Sequence, residues 1–296
     1  MRRMRWRSRS AVRIAAAFLI LQTGIYKAMI ISRANPRIKE IRSLKEPKAL
    51  KKSEFFYMEG LRIIGEAFEK KAGVQTLVVA PELLKAAYGT ELIHQAENQG
   101  IEQLEVSADV FKSFAHKENP QGLAAIGIQR FAKLEALNAA EKVIVALTEV
   151  ADPGNLGTIL RTADATGCGG IVLLGDCVSP YETGAMRASM GAIFSQPVVQ
   201  TDFDSLLRWK KAQGCRLIGT ADSAQLDYAA VDYAGPLILL MGSERQGLSD
   251  AVTAACDQMA RIPMMGSSDS LNLAVATGVM LYQIFNSRRG GVQFEI

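Results

Sequence analysis

The chain has 296 residues, 49% hydrophobic and 22% charged, which excludes a disordered polyampholyte and leaves room for two domains with a sizeable core. Its four cysteines, Cys168, Cys177, Cys215 and Cys256, show no CxxC spacing; this argues against a zinc site or a disulfide framework and suits reduced thiols in a cytoplasmic protein. The net charge of +4 hides an asymmetry, because residues 1–60 hold 15 lysines and arginines against 4 acidic residues while the remainder holds 19 against 26.

A basic N-terminal part on an acidic body points to a polyanionic partner, RNA or DNA, with a solvated basic tail as the plainer reading. Residues 1–28 are arginine-rich and then briefly apolar, too short a run to span a membrane comfortably and without a clear cleavage site. A second natural start lies at Met29, so residues 1–28 read as a tail or an over-extended start and stay outside the fold.

Residues 37–52 read as a basic helical segment. "FFYMEGLRIIGEAFEKKAG" reads as a strand or turn followed by an amphipathic helix ending at Gly73, "TLVVA" as a strand, and "PELLKAAYGTELIHQAENQG" and "ADVFKSFA" as helices. "GLAAIGIQ" closes a small α/β unit, 29–129, and the polar, alanine-rich stretch 130–141 reads as a linker. From 142 to 296 the pattern alternates regularly. Apolar strands ("KVIVALTEV", "GIVLLG", "QPVVQ", "CRLIGTA", "PLILLMGSE", "MARIPM") are separated by helices that include "TILRTADATG" and, as one helix, "AMRASMGAIF". Such alternation predicts an α/β domain with a mainly parallel sheet covered by helices on both faces.

In a parallel sheet, ligands bind beyond the carboxyl ends of the strands. Three loops leave those ends, "DPGNLG" (152–157), "GSERQG" (242–247) and "MGSSDS" (265–270), and each combines glycine with polar side chains. Glycine lets a backbone approach a ligand closely. In the third loop, Asp269 or Ser270 is the expected cap of the helix that follows. No GxGxxG opens a helix after a strand and no GxxxxGK[ST] occurs, which excludes a dinucleotide fingerprint and a P-loop. Both histidines, His94 and His116, fall in the N-terminal unit, so a histidine-based triad has no base in the α/β domain. The loops offer Asn155, Arg161, Glu244, Ser270 and Asn272 instead, a set able to hold phosphate and to orient and deprotonate a hydroxyl. Arg161 is expected about one turn into the helix after the first loop.

"DPGNLGTILRTADATG", "LMGSERQGLS" and "IPMMGSSDSLNLAVATGVMLYQ" resemble, in order and spacing, the three signature motifs of the SpoU (TrmH-like) RNA ribose 2′-O-methyltransferases. "MRASMGAIFSQPV" resembles the family's intervening helix, and residues 53–129 are similar to its substrate-binding domain. The resemblance implies a C-terminal trefoil knot, S-adenosylmethionine as methyl donor held largely through backbone at Gly242, Ile262 and Leu271, and no metal. It assigns catalysis to Asn155, Arg161, Glu244, Ser270 and Asn272, with Arg161 activating the hydroxyl or orienting phosphate. It also implies a homodimer, no membrane partner, and ribosomal RNA, 23S above all, as substrate in preference to tRNA. The alternative is a catalytically inactive RNA-binding protein of the same fold, against which the intact set Asn155, Arg161, Glu244 and Asn272 speaks.

Overall fold

The computed structural model describes residues 29–267 and 269–289. The expected tail, 1–28, lies outside them.

The N-terminal unit opens with α1 (Pro36–Ser43) and α2 (Pro47–Leu50), each begun by a proline whose fixed φ suits the first helical turn. Then come β1 (Phe55–Glu59), α3 (Leu61–Glu69), β2 (Val74–Val79), α4 (Ala87–Asn98), β3 (Glu102–Glu105), α5 (Ala108–Lys112) and β4 (Leu123–Ile128). The strands form a four-stranded sheet in the order β1-β4-β2-β3, with only β2 and β3 parallel. The helix expected from Pro81 begins only at Ala87. Leu84 is extended, and its side chain folds over Gly89, where a Cβ would lie 2.5 Å from Leu84 Cδ1. β3, "EQLE", was not foreseen; it is an edge strand with a single buried side chain, Leu104, so it carries little apolar signal.

The second unit comprises β5 (Ile144–Thr148), α6 (Pro153–Ala165), β6 (Gly170–Leu174), α7 (Thr183–Ser189), β7 (Val198–Thr201), α8 (Phe203–Gln213), β8 (Arg216–Thr220), β9 (Leu226–Asp227), β10 (Leu237–Met241), α9 (Asp250–Ala254), β11 (Gln258–Arg261) and α10 (Leu273–Arg288). Its seven strands are all parallel, in the order β7-β6-β5-β10-β8-β11-β9. Alternate strand residues divide the core. Val145, Leu147, Ile171, Leu173 and Leu239 face α6, α7 and α10, whereas Ile144, Ala146, Val172, Ile238 and Leu240 face α8 and α9. Strands buried on both faces are what continuous apolar runs demand.

Two expectations need correction. "AMRASMGAIF" is not one helix. α7 stops at Ser189, Met190 (φ 52°) and Gly191 (φ 97°) turn left-handed, and a short 3₁₀ turn follows. The turn lets the backbone at Gly191 press on α3, where an added Cβ would lie 2.9 Å from Glu66 Cγ. Nor is 130–141 a free linker: Leu134, Leu137 and Ala139 are buried on the α8 face, and Ala132 bridges Val199 of β7.

The two units share one core. Phe56 of β1 stacks obliquely on Tyr181, with ring centroids 4.6 Å apart, and the Tyr181 hydroxyl donates to the carbonyl of Arg130 at 2.9 Å. Beyond β11 the chain reaches the start of α6, where Asn272 donates to Asn155 at 2.9 Å.

Candidate active site

The site is built at the start of α6. Asp152 is the N-cap, its carboxylate accepting from Asn155 N at 2.7 Å, and Pro153 takes the first helical position. This fixes Asn155 at the carboxyl end of β5. Its amide Nδ2 donates to Glu244 Oε1 at 3.0 Å, and its Oδ1 accepts from Asn272 Nδ2 at 2.9 Å. Glu244 Oε2 accepts in turn from Ala151 N at 3.3 Å. One asparagine thus ties together all three glycine-polar segments.

Glu244 rests on a closed loop. Ser243 and Gly247 exchange two backbone hydrogen bonds of 3.1 Å each. A Cβ at Gly242 would lie 2.3 Å from the backbone carbon of Gly247, so only glycine admits this closure. Burial alone would raise the Glu244 carboxyl. The Asn155 amide and the backbone N–H groups of Glu244, Ala151 and Asp152 outweigh it, and hold the group below the ordinary carboxylate value.

Asn272 also carries a structural duty. Its Oδ1 caps α10, accepting from Ala274 N at 2.9 Å and Val275 N at 3.3 Å. The cap is therefore Asn272 and not Asp269 or Ser270. Ser and Asp are good caps, but the helix begins only at Leu273, beyond the loop.

The other expected residues stand apart from this relay. Ser270 is exposed and makes no hydrogen bond among the described residues. Arg161 is the ninth residue of α6, not one turn in, because the helix already begins at Pro153 inside the first motif. It therefore lies about 9 Å along the helix axis from Asn155. It is exposed and has no hydrogen bond or ion pair among the described residues.

The segment expected to hold the cofactor has a fitting character. Ile262 packs partly into the core, while Met264, Met265 and Leu271 expose apolar surface. The backbone N–H groups of Met264, Met265, Gly266 and Leu271 have no partner among the described residues. Apolar walls with free backbone donors suit a purine and its ribose. Among the described residues no group of three His, Cys, Asp or Glu is placed to hold a metal ion, and no helix is long and apolar enough to cross a membrane.

Residues 142–282 match the sequence model of the SpoU rRNA Methylase family, and residues 35–125 match the MRM3-like substrate binding domain. The 23S rRNA (guanosine(2553)-2'-O)-methyltransferase RlmP of Bacillus subtilis is 30% identical, over 86% of this chain and 98% of its own. The chain belongs to the SpoU rRNA methylase family. An AdoMet-bound rRNA methyltransferase from Sinorhizobium meliloti superposes with a TM-score of 0.80 at 35% identity, covering 90% of this chain and 99% of that one. The SpoU methyltransferase AviRb from Streptomyces viridochromogenes, in complex with AdoMet, superposes with a TM-score of 0.81 at 28% identity, covering 87% and 99%.

Sequence reading of this SpoU chain missed two contributors. Asp152 carried a legible signal, an N-cap type directly before a proline. Gly157 carried none. A Cβ there would lie 2.3 Å from the carbonyl oxygen of Ala185, so the glycine sets the close approach of α6 and α7. Only the packing of two helices reveals it.

Proposed function

We propose that this chain transfers a methyl group from S-adenosylmethionine to a ribose 2′-hydroxyl of ribosomal RNA, 23S rRNA in particular. The observation that carries the reading is the hydrogen-bonded relay Glu244–Asn155–Asn272, which assembles three motif loops at the carboxyl end of a parallel sheet. When bound, S-adenosylmethionine supplies an electrophilic methyl carbon; the hydroxyl oxygen provides the electron pair and loses its proton. The chain's part is alignment and charge. Gly242, Ile262 and Leu271 line the cofactor segment, with backbone groups making the polar contacts. Asn155 and Asn272 hold the loops in register, Glu244 anchors the second loop, and Ser270, exposed and unbonded among the described residues, is open to the substrate. Arg161, with no hydrogen-bond or ion-pair partner among the described residues, orients RNA phosphate and the reacting hydroxyl.

The enzyme works as a homodimer. Met265 is 98% exposed, Val275 53% and Tyr282 48%, an apolar strip along α10 and the segment before it that a second copy would cover. A ribosomal substrate carries with it the expectation of a cytoplasmic enzyme. The test is incubation with methyl-tritiated S-adenosylmethionine and either 23S rRNA transcript or bulk tRNA, in the presence of EDTA. Label in 23S rRNA at a linkage that resists alkali is expected, with a dimer mass by light scattering. Label in tRNA alone overturns the ribosomal assignment, and no label from a folded protein that binds the cofactor overturns the enzymatic one.

A further inference from the structure

A second cleft lies at the carboxyl ends of β6 and β7, where the N-terminal unit meets the sheet. It encloses about 280 Å³, and its walls include Lys51, Phe131, Gly175, Ser179, Gln200 and Thr201. The volume falls just under the usual range for small-molecule sites, about 300–1,000 Å³, which suits a single ring system. Phe131 is 38% exposed although it meets Tyr181 edge-on, with centroids 5.6 Å apart. Tyr181 is its only aromatic neighbour among the described residues. Gln200 and Thr201 make no side-chain hydrogen bond among the described residues, so amide and hydroxyl groups are free to meet a polar edge.

The cleft is coupled to the active site. Its wall loop is bonded to the strand end that leads into Asp152: Val178 N donates to Val150 O at 2.9 Å, and a Cβ at Gly175 would touch Glu149 Cγ at 3.2 Å. β6 is the immediate neighbour of β5 and β7 the next, so the two sites are one to two strand spacings apart, about 5–10 Å. At the mouth, Lys51 pairs with Asp176 at 2.6 Å, both well exposed. The pair is neutral overall and, being exposed, weak, so the mouth is not built to seize a phosphate.

We propose that this cleft receives an unpaired base of the RNA strand beside the target nucleotide, stacked on Phe131 with its polar edge toward Gln200 and Thr201. A stacking platform with a few free polar groups is how proteins hold bases splayed out of single-stranded RNA. The inference rests on the RNA reading and adds a second contact that fixes the strand's direction across the site.

The test uses the full chain with S-adenosylmethionine and two ten-nucleotide probes, an unstructured adenosine oligoribonucleotide and a chain of the same length whose sugars are abasic. Anisotropy of labelled probes reports binding, and the Phe131→Trp variant reports stacking by fluorescence. The adenosine probe is expected to quench the added fluorescence, and the abasic probe to bind without quenching. Phe131→Ala should weaken the adenosine probe about tenfold and the abasic probe hardly at all. Tight binding of both probes without quenching overturns the base site and leaves the RNA reading intact. Equal weakening of both by Phe131→Ala marks the residue as structural and also overturns it. Failure of the unaltered protein to bind either probe at low salt overturns the RNA reading itself.

Discussion

Asn272 donates its amide to Asn155 Oδ1 at 2.9 Å across a sequence separation of 117 residues, while its own oxygen caps α10. One side chain closes the candidate site and begins a helix. The two duties separate by substitution. Asn272→Asp keeps a strong cap but replaces the donor facing Asn155 with an acceptor. It should leave the melting temperature nearly unchanged and cut single-turnover methylation at least tenfold. Asn272→Ala loses the cap as well and should cost about 1 kcal/mol of stability. An Asn272→Asp protein with normal transfer would remove the relay from the mechanism.

Arg161 has no partner among the described residues, so its loss should be silent in stability, within about 0.5 kcal/mol. Lysine keeps the charge but not the planar fork. Arg161→Lys and Arg161→Ala should each reduce single-turnover transfer by about a hundredfold, equivalent to about 2.7 kcal/mol, with cofactor affinity unchanged. Melting curves, cofactor calorimetry and single-turnover assays on the two variants together decide it.

The carboxyl of Glu244 is held below its ordinary value of 4.5 in the folded chain. A group with a depressed folded pKa contributes stability above its unfolded value, and that contribution disappears as pH falls through the folded value. The wild type should therefore lose loop stability from pH 4.5 downward, while Glu244→Gln should lack that part of the slope. The group is partly exposed, so the difference should stay under about 1 kcal/mol. Urea unfolding of both proteins at stepped acid pH measures it.

Gly242 faces the Gly247 backbone too closely for a side chain. Gly242→Ala must open the Ser243–Gly247 closure that carries Glu244. Cofactor affinity is expected to fall at least tenfold by calorimetry, with the global fold kept by circular dichroism. Unchanged affinity would show that the loop tolerates an open form.

The basic N-terminal segment is less free than its charge suggests. Arg33, Arg37, Arg42, Lys45 and Lys51 are engaged by Asp109, Glu102, Ser113, the Phe114 carbonyl and Asp176. Lys39, Lys48 and Lys52 are exposed and unengaged among the described residues. If these three contact RNA phosphate, replacing them with alanine should reduce the salt slope of RNA affinity by about 2 to 3. Filter binding between low and physiological salt tests this, and an unchanged slope would place the phosphate contacts elsewhere.

The sequence by itself determined the parallel sheet, since apolar runs such as "ILLM" and "IVLL" have no solvated face and only a sheet covered on both sides accommodates them. It also determined the three motif loops and the residue types they present, because glycine with polar side chains recurs after successive apolar strands. Tertiary structure decided what those residues touch. Asn155, Glu244 and Asn272 meet only because three segments distant in sequence come together at one end of the sheet, and no local pattern encodes that meeting. The same holds for the cap at Asn272, the break at Met190, the buried linker and the close approach at Gly157. Each is set by what a distant segment presses against, and a propensity read along the chain registers only near neighbours.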